Sequence, residues 1–199
     1  DGIERKLTPD VLSRLASEAS ARQLARLAIG NDIVVETLPP FLTFATADVV
    51  LSPGCFVQAV AEAETEMARR ILAAVGKVKS VADLFCGVGA FTFPLAARAK
   101  VLAFDGNQPA IAALNAAAKK ATGLKPITAR VRDLFREPLS PLELNEHDAI
   151  VFDPPRAGAE AQAQRLARSK VKTVVAASCN PATLARDARH LVDGGYKIE

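Results

Sequence analysis

The sequence predicts an α/β fold in which a doubly wound, mostly parallel sheet carries helices on both faces, after a small α+β lead-in region. From position 62 onward, short apolar runs alternate with helical stretches of about ten to fifteen residues, which is the pattern of βαβ units. The residues best suited to chemistry follow the ends of these apolar runs. With 199 residues, 50% of them hydrophobic, the chain can bury the core of one medium domain.

The lead-in region is predicted to span residues 1–58. Thr8 and Pro9 fit an N-cap and a first helical turn, and the apolar spacing after them predicts one helix that continues to a stop at Gly30. Three short apolar runs bounded by proline and glycine then predict antiparallel strands at 33–37, 41–45 and 49–51.

The main domain is predicted to span residues 59–199, with right-handed crossovers between parallel strands. Its predicted strands are 80–85, 101–104, 126–131, 148–152, 171–177 and a last one from Tyr196. Its predicted helices are 62–75, 91–99, 109–121, 160–169 and 181–192.

Composition excludes several classes of protein. No run approaches the roughly eighteen uncharged apolar residues of a membrane helix, and residues 1–6 lack the apolar core of a signal peptide. We therefore expect a cytoplasmic protein without a membrane partner. Cys55, Cys86 and Cys179 are odd in number and widely spaced, which argues against disulfides and against a four-thiolate site, so no metal is expected.

The formal net charge of +3 does not by itself indicate a nucleic-acid partner. Basic residues are nevertheless concentrated in two places, which either bind an anionic partner or are solvated helix and loop faces. These are Lys119, Lys120, Lys125, Arg130, Arg132 and Arg136, and then Arg165, Arg168, Lys170 and Lys172.

A glycine-containing turn follows the first strand of the main domain. The segment 83–91 reads Asp-Leu-Phe-Cys-Gly-Val-Gly-Ala-Phe, here called the glycine loop. Gly87 and Gly89 allow backbone amides to approach a ligand at a helix N-terminus, although a tight turn without a ligand has the same pattern. The third glycine of the dinucleotide fingerprint is missing, which disfavours a nicotinamide cofactor.

Two aspartates follow the next strands. Asp105 lies eighteen residues after Gly87, where a carboxylate can accept hydrogen bonds from both ribose hydroxyls of an adenosine ligand. Asp133 follows the third strand and could reach the adenine edge. Each could instead cap a turn or a helix.

Two further motifs directly follow two predicted strands that are expected to be neighbours in the sheet. The acidic loop, 153–158, reads Asp-Pro-Pro-Arg-Ala-Gly, and the cysteine loop, 178–183, reads Ser-Cys-Asn-Pro-Ala-Thr. Cys179 precedes a helix whose first turn contains Pro181, so its thiol lies near the positive end of the helix dipole and is a candidate nucleophile. The alternative is a small packed side chain, as predicted for Cys86. All these loops leave the edge of the sheet where ligands collect in open α/β folds.

These motifs resemble the S-adenosylmethionine-dependent RNA uracil-5-methyltransferases, which make 5-methyluridine in tRNA and rRNA. Four landmarks agree in order: Phe-Val-Gln at 56–58, the glycine loop, the acidic loop and the cysteine loop. The resemblance implies a class I methyltransferase fold, Rossmann-like, with an RNA substrate. It also implies that Gln58, Phe85, Asp105 and Asp153 line the cofactor pocket, beside Gly87 and Asp133, and that Cys179 is the nucleophile.

In that family the cysteine thiolate adds to carbon 6 of uracil, carbon 5 takes the methyl group, and a base then removes the proton from carbon 5. This sequence departs from the family pattern at Val60, where asparagine is usual, and at Ala176, where an aromatic residue is usual. The family's base lies roughly thirty or more residues after the nucleophile, whereas this chain ends twenty residues after Cys179.

We therefore expect a piece of a longer enzyme, without the last antiparallel strand, the N-terminal RNA-binding barrel and the iron-sulfur cysteines of the family. Little turnover is expected from such a piece.

Two other functions fit the sequence. A methyltransferase for exocyclic amines would use the acidic loop and need no cysteine, although Arg156 stands where those enzymes carry an aromatic residue. A non-catalytic RNA- or cofactor-binding module is the other. The particular RNA, the particular uridine and the oligomeric state are not predicted.

Overall fold

The computed structural model describes residues 7–199. The segment 1–6, which was predicted to lack a signal-peptide core and forms the start of the predicted lead-in region, lies outside the described residues. Within residues 7–199, no helix is long and apolar enough to cross a membrane.

The lead-in region contains one helix and two hairpins. They are α1 (Pro9–Ala21), β1 (Arg26–Ile29), β2 (Asp32–Glu36), β3 (Phe41–Phe44) and β4 (Ala47–Val50). Strands β1 and β2 pair antiparallel, as do β3 and β4. The Thr8 hydroxyl accepts a hydrogen bond from the Val11 N–H, which makes Thr8 the predicted N-cap.

The predicted first helix is too long. Helix α1 ends at Ala21, and Gln23 adopts a φ of 52°, a left-handed conformation that no helix continues through. The residues from Arg26 then form β1, and an ion pair of 2.5 Å joins Arg26 to Glu36 on the paired strand. The apolar residues that follow Ala21 therefore belong to this hairpin and not to a continued helix.

The main domain begins with α2 (Ala61–Val75), close to the predicted boundary. It continues with β5 (Ser80–Leu84), α3 (Thr92–Ala96), β6 (Lys100–Asp105), α4 (Gln108–Ala118), β7 (Ile127–Val131), α5 (Pro141–Leu144), β8 (Ala149–Phe152), α6 (Glu160–Leu166), β9 (Thr173–Ala176) and α7 (Pro181–Asp193). The short helix α5 was not predicted. Ser140 and Glu143 stabilise it with a capping box.

The main sheet is parallel and doubly wound, as predicted. Its strands follow the order β7-β6-β5-β8-β9, so the chain starts at the centre, builds outward to β7 and then returns to build the other half. The strand order therefore reverses beside β5, between β6 and β8. In open α/β sheets this switch point, at the carboxyl ends of the strands, is where ligands bind.

The predicted last strand is wrong, because Tyr196 lies in no strand and the main sheet formed within residues 7–199 has five strands. The Tyr196 N–H donates to the Leu191 carbonyl oxygen, and its hydroxyl donates to the Val171 carbonyl oxygen at 2.7 Å. These bonds hold the segment after α7 against the end of that helix and the approach to β9.

The core has two layers, one on each face of the main sheet. Helices α2, α3 and α4 cover one face, and α5, α6 and α7 cover the other. The β3–β4 hairpin joins the first layer: Phe44 and Val49 are buried there, and the Phe44 ring stacks on Phe93 with 6.4 Å between centroids. Leu51, Cys55 and Val57, in the segment after this hairpin, pack against the same layer. The division at residues 58 and 59 stays a prediction.

Candidate active site

A cleft lies at the switch point of the sheet. It consists of two adjoining cavities of about 300 Å³ and about 280 Å³. The residues that line both cavities, and so join them, are Phe56, Phe85, Gly87, Asp153 and Pro155. The first cavity extends towards α2 and the cysteine loop, and the second extends along the ends of β6 and β7.

All seven residues predicted for the site line this cleft. Gln58 and Cys179 lie in the first cavity, and Asp105 and Asp133 lie in the second. Phe85, Gly87 and Asp153 lie in both. Loops far apart in the sequence thus meet at one place because parallel strands end at the same edge of the sheet.

The glycine loop turns sharply into the cleft. Phe85 has a φ of 61°, which is strained for a residue with a side chain, and its ring packs against Phe135 with 5.4 Å between centroids. Gly87 has a φ of 53° and Gly89 a φ of 99°. A Cβ at Gly89 would lie 2.8 Å from the Phe93 ring, so the close approach of loop and helix requires glycine there.

Asp105 links the glycine loop to the turn after β6. One carboxylate oxygen accepts the Gly87 N–H at 2.9 Å, and the other accepts the Asn107 N–H at 2.7 Å. Each oxygen keeps a further lone pair, so the carboxylate can still accept bonds from a ligand in the second cavity.

Asp133 has the capping role that was its alternative. Its carboxylate accepts the Phe135 N–H at 3.0 Å and the Arg136 N–H at 3.3 Å. It also lines the second cavity, so capping and ligand contact are compatible.

Acidic groups are concentrated around the glycine loop. Asp83 is 1% exposed and accepts a hydrogen bond of 2.6 Å from the Thr92 hydroxyl. Burial raises the pKa of Asp83 to about 7, helped by the charges of Asp153 and Asp105 and opposed by the Thr92 bond. Burial also raises the pKa of Asp153 and of the Cys86 thiol. A cationic ligand would relieve this accumulation of negative charge.

The Asp83 carboxyl should make folding stability depend on pH. Its pKa rises from the ordinary value of 3.8 to about 7 in the folded protein, which therefore binds more protons than the unfolded chain between these values. The free energy of unfolding should then fall as pH rises from about 4 to about 8. Asp83→Asn should reduce this fall by about 2–4 kcal/mol, measured by urea unfolding at about pH 4.5 and about pH 8. An unchanged pH dependence in the variant would contradict this assignment.

Cys179 is exposed and follows β9 closely, one residue before Asn180, the N-cap of α7. Strands β8 and β9 pair in parallel, so the acidic loop and the cysteine loop are neighbours, as predicted. The Asn180 side-chain amide donates to the Arg156 carbonyl oxygen at 3.0 Å, and the Thr183 hydroxyl donates to the same oxygen at 3.3 Å. The two loops therefore form one hydrogen-bonded wall of the cleft.

A buried aspartate with an arginine partner supports this wall and was not predicted. Asp187 in α7 is 1% exposed, accepts the Ala159 N–H at 2.6 Å and pairs with Arg186. The Arg186 guanidinium also donates to the Ala157 carbonyl oxygen at 3.0 Å. Gly158 leaves the space for these groups, since a Cβ there would lie 2.5 Å from Arg186.

Glu64, which also lines the first cavity, was not predicted either.

Two residues of the first basic cluster have acidic partners within the protein. Arg132 pairs with Glu143 at 2.5 Å and lies over the Phe104 ring, so it stabilises the fold. Arg136 approaches Asp133 at 4.0 Å. The second cluster, Arg165, Arg168, Lys170 and Lys172, lies at the end of α6 and in the segment that leads to β9. Within residues 7–199, no group of three or more His, Cys, Asp or Glu side chains could hold a metal ion.

Comparison with known proteins gives the family. The family model described as tRNA (Uracil-5-)-methyltransferase matches residues 19–198, most of the chain. The chain belongs to this family. The resemblance predicted from the four landmarks is thus confirmed.

Curated relatives agree with this membership. A Brucella suis protein named as an uncharacterized RNA methyltransferase is 49% identical over 194 residues, which cover 98% of this chain and 47% of that protein. The protein named 23S rRNA (uracil(1939)-C(5))-methyltransferase RlmD, from Chromohalobacter salexigens, is 39% identical over 165 residues, 79% of this chain and 34% of that protein. The chain spans about half the length, or less, of the curated relatives it matches.

A solved structure confirms the predicted class I methyltransferase fold. The Pyrococcus abyssi tRNA (uracil-54, C5)-methyltransferase, in complex with S-adenosyl-L-homocysteine, superposes with a TM-score of 0.70 at 28% identity. The match covers 83% of this chain and 40% of that one. The predicted cofactor is the methylated form of the ligand in that structure.

Proposed function

We propose that this chain is the catalytic domain of an enzyme that transfers the methyl group of S-adenosylmethionine to carbon 5 of a uridine in RNA. Family membership supports the reaction class, because the matching family is described as a tRNA uracil-5 methyltransferase. One observation carries the mechanism: the exposed Cys179 lines the same cavity as Asp153 and Gly87. A thiol in that position can reach a substrate base beside the bound methyl donor.

The residues of the cleft suit S-adenosylmethionine. Asp105 would accept the ribose hydroxyls and Asp133 would accept from the adenine amino group, since both carboxylates line the second cavity. Gly87 and Phe85 would contact the middle of the ligand where the two cavities join. The acidic surroundings, from Asp83 to Asp153, favour a ligand with net positive charge.

The chemistry requires activation of carbon 5, which is a poor nucleophile in uracil. The Cys179 thiolate adds to carbon 6, and the electron pair of the double bond moves towards oxygen 4, so carbon 5 becomes enolate-like. S-adenosylmethionine supplies the electrophilic methyl group. A base then removes the carbon 5 proton, and the bond between sulfur and carbon 6 breaks as the double bond returns.

The wall formed by the acidic and cysteine loops would orient the uracil ring. Its rigidity comes from the bonds of Asn180 and Thr183 to Arg156 and from the buried Asp187. Holding the sulfur and the target carbon at a fixed separation converts a slow bimolecular addition into an effectively intramolecular one.

We further propose that the 199-residue chain forms the methylated adduct but releases it slowly, because none of the residues assigned above removes the carbon 5 proton. Purified protein should be mixed with a uridine-containing RNA hairpin and S-adenosylmethionine labelled in its methyl group. We expect a denaturation-resistant band that contains protein, RNA and label. A hairpin with cytidine in place of every uridine is the control and should give no band.

Two outcomes would contradict the proposal. Label recovered on an exocyclic amine of the RNA, without an adduct, would favour the amine methyltransferase that shares this scaffold. Binding of the hairpin without an adduct and without methyl transfer would favour a binding module.

A further inference from the structure

Glu64 is a carboxylate of the cleft that the reaction described above does not use. It lies in the first turn of α2, is half-buried, and lines the first cavity together with Gln58 and Cys86. The Gln58 backbone N–H faces its carboxylate. Within residues 7–199 Glu64 forms no ion pair, whereas Glu66, two residues later, binds both Arg69 and Arg70.

A half-buried carboxylate without a cationic partner is costly, because burial removes water that the protein does not fully replace. Desolvation is the largest influence on Glu64 and raises its pKa, and the Gln58 N–H offsets this only partly. A ligand that carries an ammonium group into the first cavity would supply the missing charge and the missing hydrogen-bond donors.

The two cavities determine which end of the cofactor lies near Glu64. Asp105 and Asp133 line only the second cavity, which is therefore the place for ribose and adenine. Glu64 lines only the first cavity. A ligand that passes Gly87, where the cavities join, thus extends its amino-acid end towards α2. That end has one cationic hydrogen-bond donor, the α-ammonium group, because the sulfonium carries no proton.

We propose that Glu64 binds the α-ammonium group of the cofactor's amino-acid end, an inference that rests on the proposed function. Glu64 is then a specificity residue: it makes the cleft prefer ligands with an intact amino acid over thioadenosine compounds that lack the amino group. Its position in the first turn of α2 also connects cofactor binding to the helix that covers one face of the sheet.

A purely structural role for Glu64 predicts a different result. Acidic side chains in the first turn of a helix are favoured by the helix dipole whether or not a ligand is present. Glu62 lies in the same turn, is exposed, and lines neither cavity. Glu62→Gln therefore removes an equal charge from the same helix terminus and is the matched control.

The test compares two ligands by calorimetry at about pH 8, well above the ordinary pKa of a glutamate. One is S-adenosylhomocysteine, and the other is its analogue with hydrogen in place of the α-amino group. For Glu64→Gln we expect S-adenosylhomocysteine to bind at least about tenfold more weakly, as for loss of a charge-assisted bond. The deaminated analogue should bind the wild type and this variant within about twofold of each other. Glu62→Gln should keep the wild-type preference.

The outcomes separate this inference from the proposed function. If the wild type binds neither ligand, the proposed function is wrong and the inference falls with it. If the wild type prefers S-adenosylhomocysteine and Glu64→Gln keeps the same preference, the inference alone is wrong. An equal loss of affinity for both ligands also contradicts it, because that result indicates a distorted cavity.

Discussion

Replacement of Cys179 by alanine is expected to abolish methyl transfer to uridine, by at least about a thousandfold, and to remove the covalent RNA adduct. Without the sulfur, carbon 5 of uracil is not activated, and no other described residue of the cleft is assigned to that step. Cofactor affinity should stay within about threefold of the wild type, because the exposed Cys179 side chain is not among the groups that hold the cavity together. Single-turnover transfer of labelled methyl groups measures the first effect, and calorimetry with S-adenosylhomocysteine measures the second.

The matched control is Cys55→Ala. Cys55 is a free thiol that lines neither cavity, so its loss should leave adduct formation unchanged. RNA with 5-fluorouridine provides a second measurement, since fluorine cannot leave carbon 5 as a cation and the methylated adduct persists whatever base is present. Full adduct yield with Cys179→Ala on this RNA would show that the nucleophile is another residue.

The sequence predicts the parallel sheet well because its signals are local and repeated. Most strands of the main domain are short apolar runs, and the glycine, acidic and cysteine loops follow the ends of such runs. The predicted strands 80–85 and 148–152 therefore differ from β5 and β8 by only one residue at an end. Once the strands are parallel, topology brings Gly87 and Asp153 to one edge without any long-range information.

The errors arise where local signals are ambiguous. The spacing of Leu24 and Leu27 fits a helix as well as a hairpin, and the left-handed turn at Gln23 has no glycine to reveal it. Tyr196 resembles the start of a strand, yet its hydroxyl finds a partner at Val171 instead. Such choices depend on contacts between distant residues, which propensity does not contain.

The unpredicted residues of the site share one property: their role depends on what lies opposite them. Asp187 is an ordinary charged helix residue in the sequence, and only the fold places it under Ala159. Glu64 has the composition of any acidic first turn, and only the β3–β4 hairpin and the Gln58 segment enclose it in a cavity. A charged residue on the inner face of a helix is the one signal that could have indicated Asp187.

Replacement of Asp105 by asparagine is expected to weaken S-adenosylhomocysteine binding by about 10–100-fold, the cost of losing charged hydrogen bonds to two ribose hydroxyls. The structure adds a second reason. The two carboxylate oxygens accept from Gly87 and from Asn107, and an amide has only one oxygen, so one of these N–H groups would face an NH₂ group. The glycine loop should then lose its link to the turn after β6.

The loss of the ribose hydrogen bonds and the loss of the link to the glycine loop can be separated by comparing ligands with and without the ribose hydroxyls. Analogues of S-adenosylhomocysteine that lack the 2′- or the 3′-hydroxyl should bind the wild type more weakly than the parent ligand. If the carboxylate acts through the ribose, each analogue should lose less affinity in Asp105→Asn than the parent ligand does, because only one of the two hydroxyl bonds remains to be lost. Asp133→Asn is the comparison variant and should weaken binding by less than about tenfold. It loses only one contact with adenine, and the oxygen of the asparagine side chain can still accept the hydrogen bond from the Phe135 N–H. If Asp105→Asn weakens the parent ligand and both analogues equally, the carboxylate acts only by shaping the glycine loop, and the ribose assignment is wrong.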